Sequence, residues 1–485
     1  MTQLPTSSPN RSSEIDISYR HIVAIAWPLL VSQLSFTAMG LIDTMMVGRL
    51  GVTTLAAVGL ANFLTFWLLS FFFGLLTGVN TLVAQAVGAQ RNEAVGRALW
   101  QGLYASFFGA LLLAAFIPVV PTALAWTGAD RDMLGIASNY MIWRLVGVGA
   151  LGIYLAADNF YRGLGETRIP MICGVAQLVV NCGVNYLLIF GKAGFPALGA
   201  TGAAIGTAVA QLIMGGVLIA TILLRRRHAR YRVRQTWRPH VATVRRLVAV
   251  GLPVGVQMFM EMGGFTIFTA LVARLGAPQM AATNAVLQVW SFALMFAFAI
   301  SVTATTLSGQ AVGAGEHATA RRATWRVLLV GAAPMVVMCT VFLTVPEALM
   351  SLFAEAGDAQ VLMPFARPLF LIAVIFLIFD LPFNAISGAL RGAGDTKYPM
   401  YVSIAMSWLV FVPAVWFASP RYGVVGAWWC LVLLVLPQLG FITHRFQGNR
   451  WFLAATPATD SVESEEEPQP DVQSVSAAST SSSPA

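Results

Sequence analysis

Charged side chains are scarce in this sequence of 485 residues, since Asp, Glu, Lys and Arg together make up only 10% of it. A soluble globular domain contains about 25% of these residues. A soluble protein of this length would form about three domains, and each would need a charged surface that the chain cannot supply. The composition therefore excludes a soluble globular protein.

Cysteines are also few, with four in the whole chain. They are scattered and lie within apolar stretches, which excludes a disulfide scaffold. Disorder over most of the length is excluded as well, because 57% of the residues are hydrophobic and 11% are aromatic.

Motifs for soluble chemistry are missing too. The chain has no Walker A sequence, which excludes ATP as the driving force. Its five histidines stand at helix ends or in loops at spacings that do not suit a metal site, and no Ser/His/Asp constellation stands out. We therefore predict a protein that is not an enzyme and needs no cofactor.

Long apolar runs dominate the sequence instead. A hydrophobic helix of roughly 20 residues crosses a bilayer, and the runs between charge, Gly and Pro clusters predict twelve such spans. They lie near residues 22–47, 55–84, 98–120, 134–161, 169–190, 200–224, 247–272, 280–309, 325–345, 361–389, 399–417 and 424–443. This pattern predicts an all-α polytopic membrane protein.

The basic residues indicate how the chain is oriented. Nine arginines and no acid lie between Arg225 and Arg246, within a chain of formal net charge +8. A nucleic-acid patch is one interpretation of this run, but its position between two apolar segments favours a cytoplasmic loop. With both termini cytoplasmic, most of the 29 basic residues fall on the inner side. We expect a multi-pass protein of the cell inner (plasma) membrane with no nucleic-acid partner.

The two halves of the chain repeat one another. Gln85–Ala89 recurs 225 residues later as Gln310–Ala314, and Arg162–Thr167 matches Arg391–Thr396 at a shift of 229. Polar residues and glycines match along with apolar ones, which chance apolar similarity would not produce. Each half has six spans in the same orientation, so we predict two six-helix bundles related by a pseudo-twofold axis along the membrane normal.

The repeat predicts five regions along the chain. They are a cytoplasmic arm at 1–20, an N-lobe of helices 1–6 at 21–224, a basic cytoplasmic inter-lobe loop at 225–246, a C-lobe of helices 7–12 at 247–445, and a cytoplasmic, largely disordered tail at 446–485. Pro28 and Pro253 lie at equivalent positions near the start of helices 1 and 7, where a proline permits a bend. A tolerated proline without motion is the alternative.

Three acidic residues lie inside predicted spans, and these are Asp43, Glu261 and Asp380. A carboxylate in the bilayer costs several kcal/mol unless it is paired, protonated or facing a water-filled cavity. The counterparts of the three in the other half of the repeat are apolar: Phe268, Phe36 and about Leu151. For Glu261 and Asp380 this asymmetry favours binding of a proton or a cation such as Na⁺, with structural pairing as the alternative. Asp43 is nearer a helix end and could instead meet water or Arg49.

Two amides add to this set of polar residues. Asn181 and Asn185 lie one turn apart in helix 5 and therefore on one face. Their oxygens could ligate a hard cation or receive a carboxyl proton, and an interhelical hydrogen bond is an equally good interpretation. Asp158 lies four residues before Arg162 at a cytoplasmic helix end, which indicates a solvated or ion-paired role.

These features together resemble the multidrug and toxic compound extrusion (MATE) family. The resemblance rests on Pro28 and Asp43 in helix 1, on Gln85–Ala89 after helix 2, and on Arg391-Gly392 before Asp395-Thr396. It covers roughly residues 20 to 445. The positions of Glu261 eight residues after Pro253, and of Asp380 eleven before Arg391, are similar to the NorM-like branch.

The resemblance implies a secondary active antiporter that exports organic cations or drugs in exchange for Na⁺ or H⁺ by alternating access of two lobes. It assigns Asp43, Asn181 and Asn185 to a cation or proton site in the N-lobe. It assigns Glu261 and Asp380 to a second site in the C-lobe.

The sequence departs from the family pattern at two positions. An aromatic hydroxyl often stands where this chain has Phe376, and some relatives carry an acid where it has Asn185. These departures leave Na⁺ and H⁺ both open as the coupling ion.

The expected partners are small organic cations or drugs and membrane lipid, and the chain is expected to be a monomer. A lipid-linked saccharide flippase of the same superfamily is the alternative function. Such flippases tend to have a basic cavity, whereas the mid-membrane charges here are acidic. A major facilitator transporter should carry a Gly-Asp-Arg-Gly-type loop after helix 2, which is absent, and a membrane receptor or scaffold would not need asymmetric buried carboxylates.

Overall fold

The computed structural model describes residues 15–125, 130–351 and 356–452, with only the backbone described for 356–361. Within these residues the chain is helical and has no β-strand. Most of the predicted arm (1–20) and tail (446–485) lies outside the described residues.

Six membrane-length helices form the first half, which we call the N-lobe. They are α1 (Tyr19–Gly48), α2 (Val52–Gly88), α3 (Asn92–Ala114), α4 (the pair Arg131–Val146 and Val148–Leu164), α5 (Arg168–Phe190) and α6 (Ala200–Leu224). The two parts of α4 meet at an angle of 44°. Gly147 lies at this bend because its backbone packs against α6, where a Cβ would be 2.7 Å from the Cβ of Ala208.

The second half, which we call the C-lobe, contains the other spans. They are α7 (Val241–Ala273), α8 (Ala277–Gly313), α9 (His317–Thr344), α10 (Ala356–Ala393) and the long element Lys397–Gln447. This last element is broken at Gly423, which adopts φ 62° and ψ −154°. Its two parts, 397–422 and 424–447, are α11 and α12, and α11 includes a π-helical stretch at Met406–Phe411.

The prediction of twelve spans agrees with these helices. Ten elements are long and apolar enough to cross a membrane, and the bent α4 makes an eleventh. The element Lys397–Gln447 has 51 residues, enough for two spans, and its break at Gly423 divides it into two. The all-α, twelve-helix fold class is therefore confirmed for the described part of the chain. Both α1 and α7 continue through Pro28 and Pro253.

Buried apolar side chains form one core in each half. Each core also includes residues from the first turns of one helix that belongs to the other half. Ile22, Ile25 and Leu29 of α1 pack into the core of the C-lobe. Leu247 of α7, the repeat counterpart of Ile22, packs into the core of the N-lobe. The two lobes are thus interlocked by equivalent helix starts.

Helices α2 and α7 make a close backbone contact between the lobes. A Cβ at Gly74 of α2 would collide with the backbone of Gly255, and one at Gly251 of α7 would collide with the backbone of Leu75. The equivalent contact between α8 and α1 lacks these glycines, because the repeat counterparts are Ala299, Leu30 and Ala26. Only one of the two symmetry-related interfaces therefore brings glycine backbones together.

Candidate functional site

The first polar cluster lies inside the N-lobe, where α1, α5 and α6 meet. Asn185 Nδ2 donates a hydrogen bond of 2.6 Å to Asp43 Oδ1 and one of 3.3 Å to Asn181 Oδ1. Thr207 of α6 donates to Asp43 Oδ2 over 3.3 Å and accepts from Asn181 over the same distance. The structure thus brings together the three residues predicted from the sequence and adds Thr207. We call these four residues the N-lobe cluster.

This cluster consists of one carboxylate surrounded by neutral oxygen atoms. Asn181, Asn185 and Thr207 are buried, and Asn185 Oδ1 has no hydrogen-bond partner. Gly206 leaves room for that oxygen, since a Cβ at this position would collide with it. Carboxylate, amide and hydroxyl oxygens are the ligands that hard cations prefer. The arrangement can accept one small cation and compensate its charge with a single acid.

The surroundings of Asp43 contain a basic group that the sequence analysis did not assign to the site. Arg144 of α4 acts electrostatically on Asp43 and on the buried Tyr140. Arg144 Nε is itself buried without a hydrogen-bond partner. Thr207 and Arg144 gave no distinct sequence signal, because threonines are common in apolar spans and Arg144 counted only as an outer-side basic residue.

The second polar cluster lies in the C-lobe around Glu261 of α7. Gln257 Nε2 donates to Glu261 Oε1 over 3.0 Å and to Ser403 Oγ of α11 over 3.1 Å. Gln257 Oε1 is buried without a partner. Gln257 could have been found from the sequence, because it lies one helical turn before Glu261.

Asp380 of α10 is the second acid of this group. Its side chain is buried, Oδ2 has no hydrogen-bond partner, and the like charge of Glu261 acts on it. One turn earlier, Phe376 packs edge-to-face on Trp290 with ring centroids 5.0 Å apart, so no hydroxyl is offered from that position. We call Glu261, Gln257, Ser403 and Asp380 the C-lobe cluster. Its two acids would repel each other less if one of them bound a proton or a cation.

Neither cluster has the composition of a transition-metal site. Among the described residues there is no group of three or more His, Cys, Asp or Glu side chains that could hold a metal ion. A single-charge ion held by carboxylates and neutral oxygens fits both clusters better.

Asp158 is a third carboxylate inside the helices. It forms an ion pair of 2.7 Å with Arg162 on the same helix, α4, and its side chain is almost fully buried. Arg162 also donates to Gln33 of α1 over 3.4 Å. Of the two roles considered for Asp158, solvated or ion-paired, the structure has the ion-paired one.

The lobes are joined by hydrogen bonds on the side that carries the basic segment 225–246, which we call the basic side. Gln85 donates to the carbonyl of Gly392 over 2.7 Å, and its counterpart Gln310 donates to that of Gly163 over 3.0 Å. Thr81 and Thr306 are a second pair of counterparts. Thr81 donates to the carbonyl of Arg391 over 3.1 Å and Thr306 to that of Arg162 over 3.0 Å.

These four bonds, which we call the basic-side contact, follow the pseudo-twofold of the repeat. Glycines let the helix ends approach, because a Cβ at Gly88 would collide with the carbonyl of Gln310 and one at Gly313 with that of Gln85. The structure is therefore closed between the lobes on the basic side.

The basic segment is attached to the N-lobe on the same side. His228 is buried, its ring packs edge-to-face on Tyr161, and its Nε2 lies 3.2 Å from Glu166 Oε2. The hydrogen bond with His228 is the main reason why the pKa of Glu166 lies below that of an ordinary glutamate. In the C-lobe the repeat counterpart of Glu166 is Asp395, which pairs with Arg445 over 2.7 Å.

Comparisons with known proteins agree with the repeat and the fold. A family model described as MatE matches residues 28–187 and 253–416, one segment in each half of the chain. The probable multidrug resistance protein NorM of Pseudomonas putida is 30% identical over 417 residues, which cover 85% of this chain and 90% of that protein. The probable NorM of Rhizobium meliloti is 29% identical over 447 residues, covering 91% of this chain and 95% of its own.

Solved structures share the architecture at low identity. An outward-facing multidrug resistance MATE family transporter of the MOP superfamily matches with a TM-score of 0.82 and 16% identity, covering 93% of this chain and 100% of that one. A eukaryotic MATE transporter matches with a TM-score of 0.80 and 19% identity, covering 90% and 97%. These likenesses show a common fold. Together with the family match, they identify the chain as a multi-pass membrane protein that belongs to the MatE family and is similar to NorM, as the sequence predicted.

Proposed function

We propose that this protein is a secondary active multidrug antiporter that exports organic cations or drugs in exchange for Na⁺ or H⁺. The observation that carries the proposal is the C-lobe cluster, where two carboxylates act on each other inside the membrane and Asp380 Oδ2 has no partner. Carboxylates in that position are costly, and the acids found there commonly mark ion or proton pathways. The membership of the MatE family and the similarity to NorM support the same activity.

The two clusters suit different ions. In the N-lobe cluster, Asp43 is combined with the neutral oxygens of Asn181, Asn185 and Thr207, a set that fits Na⁺. In the C-lobe cluster, Glu261 and Asp380 are like charges in an apolar environment, where sharing a proton relieves the repulsion. We therefore assign Na⁺ to the N-lobe and a proton to the C-lobe. Na⁺ at Glu261 and Asp380 is the alternative that the experiment below tests.

Exchange requires that ion and drug favour different states of the two lobes. The protein is closed on the basic side, and a solved relative of the same fold is described as outward-facing. In our mechanism an ion that binds the carboxylates from outside favours the inward-facing state and weakens the hold on the drug, which is released outward first. The drug then binds from the inside, and this linkage couples the two movements.

The basic side is the cytoplasmic side in this proposal, because positive charge is retained there. Both termini are then cytoplasmic, and the protein resides in the cell inner membrane as a monomer. Its partners are the exported drug and the surrounding lipid. A lipid-linked saccharide flippase is not favoured, since such a substrate is anionic and the charges in both clusters are acidic.

Efflux of ethidium from proteoliposomes tests the proposal. A pH gradient without Na⁺ and a Na⁺ gradient at fixed pH are applied separately to the wild type, Glu261→Gln and Asp380→Asn. We expect both variants to lose proton-driven efflux by about 100-fold, the upper range of ordinary coupling between two sites. The matched control is Glu347→Gln, which changes an exposed C-lobe acid that pairs with Arg367 and should leave efflux unchanged. Normal proton-driven transport by Asp380→Asn would refute the assignment.

A further inference from the structure

Arg391 takes part in both the basic-side contact and the interior of the C-lobe. Its backbone carbonyl accepts the hydrogen bond of Thr81 and is thus part of the basic-side contact with the N-lobe. Its guanidinium turns the other way, into the C-lobe, where Nη2 donates to Ser301 Oγ over 2.6 Å. One residue therefore contributes to the closed contact through its main chain and to the lobe interior through its side chain.

The guanidinium of Arg391 is linked to Glu261 by charge and to the backbone of α10 by hydrogen bonds. Opposite charges on Arg391 and Glu261 attract each other. Ser301, which accepts from Arg391, donates to the carbonyl of Asn384 over 2.7 Å, and Asn384 Nδ2 donates to the backbone carbonyl of Asp380 over 3.0 Å. A change of charge at Glu261 therefore changes the attraction on this arginine, while the hydrogen bonds tie its guanidinium to the helix that carries Asp380.

The end of α10 cannot deform locally when the arginine responds. A Cβ at Gly388 would collide with the carbonyl of Ser301, and one at Gly392 with that of Thr305. Backbone packed this closely has little free space for independent motion. The carbonyls of Arg391 and Gly392 must therefore move together with the helix end.

The N-lobe has the same arginine without the same connection. The carbonyl of Arg162 accepts from Thr306, and its guanidinium pairs with Asp158 over 2.7 Å. The groups that bind or act on Asp43 are Asn185, Thr207 and Arg144, at the other end of the lobe. The guanidinium of Arg162 thus bonds to Asp158 and Gln33 and has no bond to the N-lobe cluster, whereas that of Arg391 is attracted by Glu261 of the C-lobe cluster.

We propose that Arg391 is the positioning residue that couples occupancy of the C-lobe cluster to the basic-side contact. This inference rests on the function proposed above. While Glu261 is negative, it attracts the guanidinium and keeps the carbonyls of residues 391 and 392 in reach of Thr81 and Gln85. A cation bound at the cluster removes that attraction, the end of α10 shifts as one body, and the contact between the lobes weakens.

Hydrogen exchange of the full-length protein in lipid nanodiscs tests the coupling. Opening of the contact exposes the turns that follow α2 and α8, where Arg91 N–H bonds to the carbonyl of Ala86 and Glu316 N–H to that of Ala311. The ion is added as protons, by lowering the pH, and each rate is divided by the intrinsic exchange rate of that amide at the same pH. In the wild type, this corrected rate should rise about 5-fold or more, the lower range of ordinary coupling. In Arg391→Gln the ratio of corrected rates at low and high pH should fall to near one. Arg391→Lys should restore part of the response because it keeps the charge.

The matched control is the double variant Asp158→Asn/Arg162→Gln, which neutralises the equivalent arginine together with its partner. It loosens the other half of the contact but leaves the C-lobe cluster connected, so its exchange should be faster overall with an unchanged ion response. A wild-type ion response in Arg391→Gln overturns the inference and leaves the antiport proposal intact. No ion response in the wild type, together with no efflux, overturns both. If Arg391→Gln does not fold, Ser301→Ala serves instead, and an undiminished ion response in that variant likewise overturns the inference.

Discussion

The two lobes have the same helices but different polar chemistry. The N-lobe cluster has one acid, Asp43, with neutral amide and hydroxyl partners, whereas the C-lobe cluster has two acids that act on each other. Each lobe also has one arginine that acts on its cluster, Arg144 in the N-lobe and Arg391 in the C-lobe. The repeat counterpart of Asp43 is Phe268, a fully buried ring that stacks on Phe411 at 6.0 Å. The counterpart of Glu261 is Phe36, which is partly exposed.

The difference separates what the repeat keeps from what it changes. The basic-side contact is the same in both halves, down to the threonine, the glutamine and the carbonyls that they bind. The clusters occupy unrelated positions in the two halves. Symmetry is thus retained where the lobes must close on each other, and it is lost where an ion would bind.

The largest effects are expected when the acid of one cluster at a time is neutralised. In Asp43→Asn we expect the Na⁺ concentration for half-maximal efflux to rise at least tenfold, which corresponds to a loss of about 1.4 kcal/mol or more of ion binding. Proton-driven efflux should persist, because the C-lobe cluster is intact. Asp380→Asn should show the reverse pattern. Measuring both gradients on both variants decides the matter, and equal losses in both assays would mean that the clusters are not specialised.

A smaller change should sharpen the role of the neutral oxygens. Gly206→Ala places a Cβ where Asn185 Oδ1 lies, so the amide must shift away from Asp43. We expect the apparent Na⁺ affinity to fall about fivefold, equivalent to about 1 kcal/mol. Gly216→Ala on the same helix is the control, since a Cβ there has nothing within 4 Å. An unchanged Na⁺ dependence of efflux in Gly206→Ala would exclude Asn185 as a ligand.

The smallest effect concerns two equivalent acids on the basic side, Glu166 and Asp395, and the basic residues that pair with them. Glu166 is held by His228, whereas its counterpart Asp395 is held by Arg445. Because the pKa of Glu166 is lowered in the folded protein, its stabilisation is fully present above the ordinary value of about 4.3 and is lost as the pH falls through the lowered value.

Glu166→Gln should therefore lower the free energy of unfolding at pH 7 by less than about 1 kcal/mol, as for other partly exposed pairs. Its thermal unfolding midpoint, compared with that of wild type, should differ at pH 7 and converge in acid. Glu93→Gln, which changes a more exposed acid beside Arg97, is the control. A difference that persists or grows in acid would mean that the bond to His228 is not the cause.

Much of the fold could be predicted because apolar length and repeated polar motifs are local signals. The sequence did not predict the bend of α4 at Gly147, where the chain packs closely on α6, because that contact depends on the folded lobe. It also did not predict burial of the Asp158–Arg162 pair, since a helix end next to a charged loop normally meets water.

The sequence predicted the acids and asparagines of the candidate sites, and the family resemblance implied how they are grouped, but their further polar partners were not predicted. An acid in an apolar span is visible by its cost, so Asp43, Glu261 and Asp380 could be selected directly. Their partners Thr207 and Ser403 could not be selected, because a single hydroxyl in a span has little cost and therefore little signal. Which oxygens converge depends on helix packing.

The glycine contact between α2 and α7 has a mechanical consequence. Gly74, Gly251 and Gly255 bring the two backbones into direct contact, which leaves little side-chain volume at these positions that could repack during a slide. At the equivalent positions of α1 and α8 stand Ala26, Leu30 and Ala299, which have side chains that can exchange contacts one by one. A transition that keeps the glycine contact would rotate the lobes about α2 and α7 and separate them on the side of α1 and α8. The widest passage for a bulky drug would then lie between α1 and α8.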